Sequence, residues 1–182
     1  MSDIANVRIG LIFGTDTGNT EEVGDKICEA LANYGCAVEM KNVADVEPQD
    51  FECYDMLIMG IPTWDFGGIQ EDWEDFESQI AGLRLSGKAV ALYGLGDQLG
   101  YGDYFIDAVG WLYQRILKTG ARVIGAWPTD GYDFAASLAA NETKTHFCGL
   151  AIDEDQQFDL TDQRVASWVA QLVGEYAQTN AA

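Results

Sequence analysis

The chain has 182 residues, with 30 acidic side chains against 10 basic ones and a net charge of −20. This length suits one domain with a sizeable core, and the charge argues against nucleic acid or anionic membranes as partners while favouring a basic protein face. Met1 to Asn6 lacks a basic n-region, no apolar run is long enough to span a bilayer, and Cys28, Cys36, Cys53 and Cys148 form no C-x-x-C pair; a cytoplasmic protein with reduced structural thiols is expected.

In chain order, Val7 to Phe13 comes first, an apolar, β-branched run of the kind seen in parallel strands covered on both faces. It turns through Gly14-Thr15-Asp16-Thr17-Gly18-Asn19-Thr20 into a helix with the stripe Val23, Ile27, Ala30, Leu31 and Tyr34. Such a loop can cradle a phosphate, because hydroxyls and the amides of a helix N-terminus point at it and the helix dipole favours negative charge. No lysine follows Gly18, so a terminal phosphomonoester suits the loop better than a nucleoside triphosphate. The same string also suits an ordinary turn capped by threonine or asparagine, and alone it does not separate the two. Cys36 to Val43 alternates Glu39 and Lys41 with Val38 and Met40, the pattern of an edge strand with one solvated face.

Met56 to Gly60 is the next buried strand, followed by Ile61-Pro62-Thr63-Trp64-Asp65-Phe66-Gly67-Gly68 and a helix. That helix turns Trp73, Phe76 and Ile80 inward and carries Glu71, Asp72, Glu74, Asp75 and Glu77, whose charge complements a helix N-terminus. Ala89 to Tyr93 is a further strand, leading into Gly94-Leu95-Gly96-Asp97-Gln98-Leu99-Gly100-Tyr101-Gly102. Phe105, Val109, Leu112 and Ile116 then mark a helix that stops before a C-capping Gly120, and Arg122 to Trp127 reads as another central or near-central strand. His146, with no matched acid or nucleophile, makes no catalytic constellation. The last helix is expected to start at Thr161, with Leu160 and Val165 as a hydrophobic staple and Val165, Trp168, Val169, Leu172 and Tyr176 inward.

Alternating strand and helix patterns imply right-handed crossovers and an open, doubly wound α/β sheet that binds ligands in the loops after its strands. Two of those loops pair glycines with one large aromatic, Trp64 and Tyr101. They would let a flat π-system approach the backbone while the rings cover its faces; alternatively, each ring plugs the sheet end.

The strings Gly14 to Thr20, Pro62 to Gly67 and Gly96 to Tyr101 each resemble the corresponding loop of flavodoxins. The likeness runs from about Val7 to Tyr176, and Thr129 to Phe134 and Gly149 to Asp155 look like the insertion and following strand half of the long-chain members. It implies a flavodoxin-like three-layer α/β/α sandwich over residues 1–182, with a five-stranded parallel sheet and an insertion in the last strand. Its strand order would be 2-1-3-4-5, for which flavodoxin is itself the standard example. It also implies noncovalent FMN, with Thr15, Asp16, Thr17, Gly18, Asn19 and Thr20 at the phosphate. Trp64 and Tyr101 would stack on opposite faces of the isoalloxazine ring, in loops contributed by Pro62, Thr63, Asp65, Phe66 and Gly67 and by Gly94, Leu95, Gly96 and Asp97. The backbone near Asp97 would hold the pyrimidine edge, and Asp155 would reach the ribityl hydroxyls. Asn19 stands where some relatives have lysine, and Asp65 where others have asparagine or glycine; turning the peptide after Asp65 toward the flavin demands a positive φ there.

The function so implied is that of a monomeric, low-potential one-electron carrier rather than an enzyme, with no catalytic residues and no metal. Its partners would be redox proteins with basic docking faces, such as ferredoxin-NADP reductase, photosystem I or nitrogenase reductase. The charge of −20 itself favours a low potential, since it opposes further negative charge on a reduced ring. The alternative is an FMN-dependent NAD(P)H or quinone reductase of the same fold, for which no second phosphate loop or basic pocket is visible.

Overall fold

Along the central strands successive side chains enter two different apolar clusters. Leu57, Met59 and Ile61 go to one and Met56 and Ile58 to the other, so both faces of the sheet require helical cover. The computed structural model describes residues 3–180. Met1 and Ser2, the start of the segment read above for a leader, lie outside them.

In chain order the elements are β1 (Ile9–Phe13), α1 (Asn19–Ala32), β2 (Val38–Asn42), the single turn α2 (Pro48–Phe51), β3 (Met56–Trp64), β4 (Gly68–Ile69) and α3 (Glu71–Ile80). There follow β5 (Ala89–Leu95), α4 (Asp107–Leu117), β6 (Arg122–Ile124), β7 (Trp127–Pro128), β8 (His146–Phe147), β9 (Leu150–Ile152) and α5 (Thr161–Asn180). The parallel sheet runs β2-β1-β3-β5, and β6 and β9 share its last position. β6 pairs with Ala89 to Ala91 of β5, and β9 with Tyr93 to Leu95. This is the expected order 2-1-3-4-5 with the insertion in the last strand. β4 only folds back on the end of β3, and β7 and β8 form a separate ribbon within the insertion. α1 and α5 cover one face through Val23, Ile27, Leu31, Trp168 and Leu172, while α3 and α4 cover the other through Trp73, Phe76, Val109 and Leu112. Among the described residues no helix is long and apolar enough to cross a membrane.

Several boundaries differ from expectation. β3 and β5 run past Gly60 and Tyr93, because they continue to pair with each other as far as Pro62 and Leu95. Arg122 to Trp127 is not one central strand. Its first three residues form half of the far edge, and Gly125, at φ 86 and with its carbonyl accepting from Trp168 Nε1 at 2.8 Å, ends the ladder. Tyr34 is not core: α1 stops at Ala32, and Tyr34 lies in the following turn, 42% exposed. α5, by contrast, begins at Thr161 as expected, and the Thr161 hydroxyl donates to Glu154 at 2.8 Å. All four cysteines are free, and Cys53 is exposed rather than structural.

Gly94 lies within β5 beneath α4, where a Cβ would overlap Val109 Cγ2 and stand 2.8 Å from the Ile61 carbonyl. It is a packing residue, and Gly94→Ala is expected to lower stability by about 1–3 kcal/mol. Gly174→Ala, in open space on α5, should be neutral or stabilising by up to about 1 kcal/mol. Urea unfolding of the two variants tests the contrast.

Candidate functional site

The loop from β1 to α1 is set by close approach at one end and by a left-handed residue at the other. Gly14 donates to the Gly60 carbonyl at 3.1 Å, and a Cβ on it would overlap Gln70 Oε1 and come within 2.6 Å of Trp73 Cδ1. Gly18, at φ 93, donates to Thr15 Oγ1 at 2.9 Å and starts the helix by accepting from Glu22 at 3.0 Å. No side chain caps α1, which removes the reading of the loop as an ordinary capped turn. The amides of Asp16, Thr17, Asn19 and Thr20 make no hydrogen bond within the described protein. These unspent donors sit at the positive end of the helix dipole, which makes a site for an anion. Thr20 is buried, and its carbonyl accepts from the buried Tyr93 hydroxyl at 2.8 Å, so the sheet fixes where the helix begins.

Gln70, which sequence reasoning missed, secures the neighbourhood. Its Oε1 accepts from the Trp73 amide at 3.3 Å and caps α3, while its Nε2 donates to Asp16 at 3.2 Å and to Asp72 at 2.8 Å. The Asp16 carboxylate is thereby engaged at the side of the cradle.

The second wall is the turn from β3 to β4. Thr63 Oγ1 accepts from the Ala108 amide at 3.0 Å, so its hydroxyl serves the N-terminus of α4. Trp64 is 36% exposed, Asp65 has φ 43 and Gly67 φ 83. Phe66 is 76% exposed and packs edge-on against Tyr101 and Tyr104, at centroid distances of 5.7 and 5.8 Å.

The third wall is the loop after β5. The Asp97 carboxylate accepts from the amides of Leu99 at 3.1 Å and Gly100 at 2.8 Å and from Gln156 Nε2 at 3.0 Å. Partial burial pushes its pKa up, but the bonds from Gly100, Gln156 and Leu99 outweigh that and hold it below the usual value. Tyr101 is raised by its hydrogen bond to Asp65 and by the charge of that carboxylate. Asp155, from the loop after β9, is raised by desolvation and by the charges of Asp97 and Asp153.

These walls enclose a cleft of about 260 Å³. It brings together Thr15, Asp16, Thr17, Asn19 and Thr20 with Pro62, Thr63, Trp64 and Asp65, and both groups with Leu95, Gly96, Asp97, Tyr101 and Asp155. Gly94, Phe66 and Gly67 do not line it, and Gly18 shapes the cradle from behind. Tyr104 and Glu154 line it unforeseen. Tyr104 was legible as a second aromatic three residues after Tyr101, whereas Glu154 carried no signal beyond its neighbour Asp155. The cleft can hold an anion at one end, a flat aromatic body between Trp64 and Tyr101, and hydroxyl donors along its acidic edge. Among the described residues no lysine, arginine or histidine lines it.

A family model described as Flavodoxin matches residues 11–168. Flavodoxin 2 of Escherichia coli (strain K12) is 45% identical over 172 residues, which cover 94% of this chain and 98% of that one. A flavodoxin of Nostoc is 46% identical over 169 residues, covering 93% and 97%. Among solved structures, Fusobacterium nucleatum flavodoxin bound to flavin mononucleotide superposes with a TM-score of 0.86 at 29% identity, covering 93% of this chain and 98% of that one.

Asp65 occupies the left-handed region at a cost of roughly 1 kcal/mol, which glycine avoids only by giving the unfolded chain a comparable entropy. Asp65→Gly is therefore expected to change the stability of the ligand-free protein by less than about 0.5 kcal/mol. Asp65→Val, β-branched at the same φ, should lose about 1–2 kcal/mol. Urea midpoints of the two variants check the difference.

Proposed function

Since the chain belongs to the flavodoxin family, we infer that the cleft between Trp64 and Tyr101 is the seat of its FMN. The protein is a low-potential one-electron carrier that uses FMN and turns over no substrate, and the reductase reading is not favoured. When bound, FMN supplies the group that takes up and releases electrons singly.

The observation that carries the assignment is the uncapped start of α1, whose unspent amides open into the same cleft that the two rings flank. The amides of Asp16, Thr17, Asn19 and Thr20 and the hydroxyls of Thr15, Thr17 and Thr20 hold the phosphate, with Gly18 shaping the turn behind them, a donor set that fits an acceptor-only dianion without any cation. Trp64 and Tyr101 cover the two faces of the ring and exclude water from it. The backbone near Asp97 meets the pyrimidine edge, in a loop held by the Asp97 carboxylate through the amides of Leu99 and Gly100 and through Gln156 Nε2. Asp155 accepts from the ribityl hydroxyls, with the nearby Glu154 in the same wall. The net charge of −20 opposes added negative charge on the ring. For a one-electron couple, about 1.4 kcal/mol of such opposition is worth roughly 60 mV.

The partners are redox proteins. Glu71, Glu74 and Asp75 are exposed on α3, and Phe66 and Leu99 are exposed beside Tyr101. An apolar patch near acids suits a partner with a basic rim, the class to which ferredoxin-NADP reductase, photosystem I and nitrogenase reductase would belong. Action as a monomer in the cytoplasm goes with this reading.

Titration of the apoprotein with FMN, followed by quenching of flavin fluorescence, tests the site. The wild type should bind one FMN, and Trp64→Ala and Tyr101→Ala should each lose about 2 kcal/mol, roughly 30-fold in Kd. Unchanged constants in both variants would remove these rings from the site.

Stopped-flow electron transfer to a basic partner should slow as ionic strength rises from about 0.01 to 0.1 M and the Debye length falls from about 30 to 10 Å. Rates that stay flat over this range would overturn steering by the α3 acids.

A further inference from the structure

Asp153 follows β9 directly and its side chain is fully buried. Its Oδ2 accepts from the Gln98 amide at 3.0 Å and from Gln98 Nε2 at 2.8 Å, and its Oδ1 from the amides of Asp155 at 3.0 Å and Gln156 at 2.9 Å. No cation forms an ion pair with it among the described residues. A buried carboxylate is thus held by four N–H donors alone, two from the loop after β5 and two from the loop after β9. Each of those loops supplies walls of the cleft: Gly96, Asp97 and Tyr101 from one, Glu154 and Asp155 from the other. Gln98, itself buried, extends the connection, since its Oε1 accepts from the Asp133 amide of the insertion at 2.6 Å.

We propose that Asp153, acting through Gln98, is a positioning residue that sets the two loops meeting the flavin ring and ribityl chain, while leaving the phosphate cradle untouched. This rests on the reading of the cleft as the FMN site. The cradle takes its geometry from Gly14, Gly18, Gln70 and Tyr93, whose hydrogen bonds there do not involve Asp153. Loosening the Asp153 junction therefore affects one end of the ligand and not the other.

The chemistry of the junction makes a distinctive demand. All four partners are donors, so an asparagine is not a conservative replacement. Its carbonyl can serve one pair of N–H groups, and its NH₂ then faces the other pair, donor against donor. Asp153→Asn should behave almost as badly as Asp153→Ala, despite its matching shape. Gln98→Met keeps the hydrogen bond from its backbone amide to Asp153 but deletes the side-chain bond and the acceptor for Asp133, and should have an intermediate effect.

The test is titration of wild-type and variant apoproteins with three probes: FMN, riboflavin and inorganic phosphate. For Asp153→Asn, the Kd values for FMN and riboflavin are expected to rise together, by about 10- to 100-fold, with phosphate affinity unchanged. For Gln98→Met both flavins should weaken by about 3- to 10-fold. The constant ratio of FMN to riboflavin affinity is the signature of a positioning role, because general unfolding would reduce phosphate binding as well. Flavin affinities of Asp153→Asn within about threefold of wild type, or a parallel loss of phosphate binding, would overturn the proposal. A wild-type protein that takes up no FMN would overturn the site assignment and this inference with it, whereas normal wild-type binding with an undiminished Asp153→Asn overturns this inference alone.

Discussion

An anion bound in the proposed cleft, which no lysine or arginine lines among the described residues of a protein with a net charge of −20, depends on backbone dipoles. Dipoles work only where they are aimed, so the orientation of the first turn of α1 is the constraint on which the site depends. Several otherwise unrelated features answer to it. Gly18 adopts the left-handed geometry that opens the turn, Gly14 lets the chain pass close to Gln70 and Trp73, and the Tyr93 hydroxyl holds the Thr20 carbonyl. Gln70 occupies the one carboxylate of the loop, Asp16, which would otherwise compete for the same donors or repel the ligand. The cradle is thus an extension of the packed sheet, anchored from β5 and α3 as well as from its own strand.

The opposite side of the cleft is anchored differently. The insertion hydrogen-bonds to the segment after β5, with the amides of Ala135 and Ala136 donating to Gly102 and Phe105 donating to Ala136. Leu138 donates to the buried Asp107 carboxylate at 2.7 Å. Burial raises the pKa of Asp107, and the Leu138 bond only partly counters it. The Arg164 guanidinium lies 4.0 Å over the Tyr132 ring, whose hydroxyl donates to the Ala151 carbonyl. The cradle therefore combines a local turn, set by Gly14 and Gly18, with anchors from β5 and α3, whereas the opposite wall leans mainly on contacts between segments far apart in sequence.

That difference explains what could be read in advance. The cradle, the two aromatic loops and the alternation of layers follow from short strings whose spacing has a local physical meaning, such as Gly18 before a helix or Trp73, Phe76 and Ile80 at helical intervals. Where tertiary context decided, the sequence was mute. Nothing local says that the Thr63 hydroxyl caps α4, that Gly94 makes room for Val109, or that Asp153 gathers donors from Gln98 and Gln156. The far strand was misread for a related reason. Arg122 to Trp127 has strand composition throughout, but the break at Gly125 is decided by Trp168 on α5, which packs against that glycine.

The sharing of one sheet position by β6 and β9 has a consequence for the folded chain among its own copies. A long, flat, uncharged edge would offer its free amides and carbonyls to a strand of another molecule and so seed aggregation. Here the far edge is divided into two pieces of three residues each, Arg122–Ile124 and Leu150–Ile152. At the other edge, β2 carries Glu39 and Lys41 and is only five residues long. A foreign strand would find on one side a ladder interrupted after three residues, and on the other charges that must be desolvated before it can pair. The device that lets a long loop leave the sheet thus also protects the sheet from cross-chain strand addition.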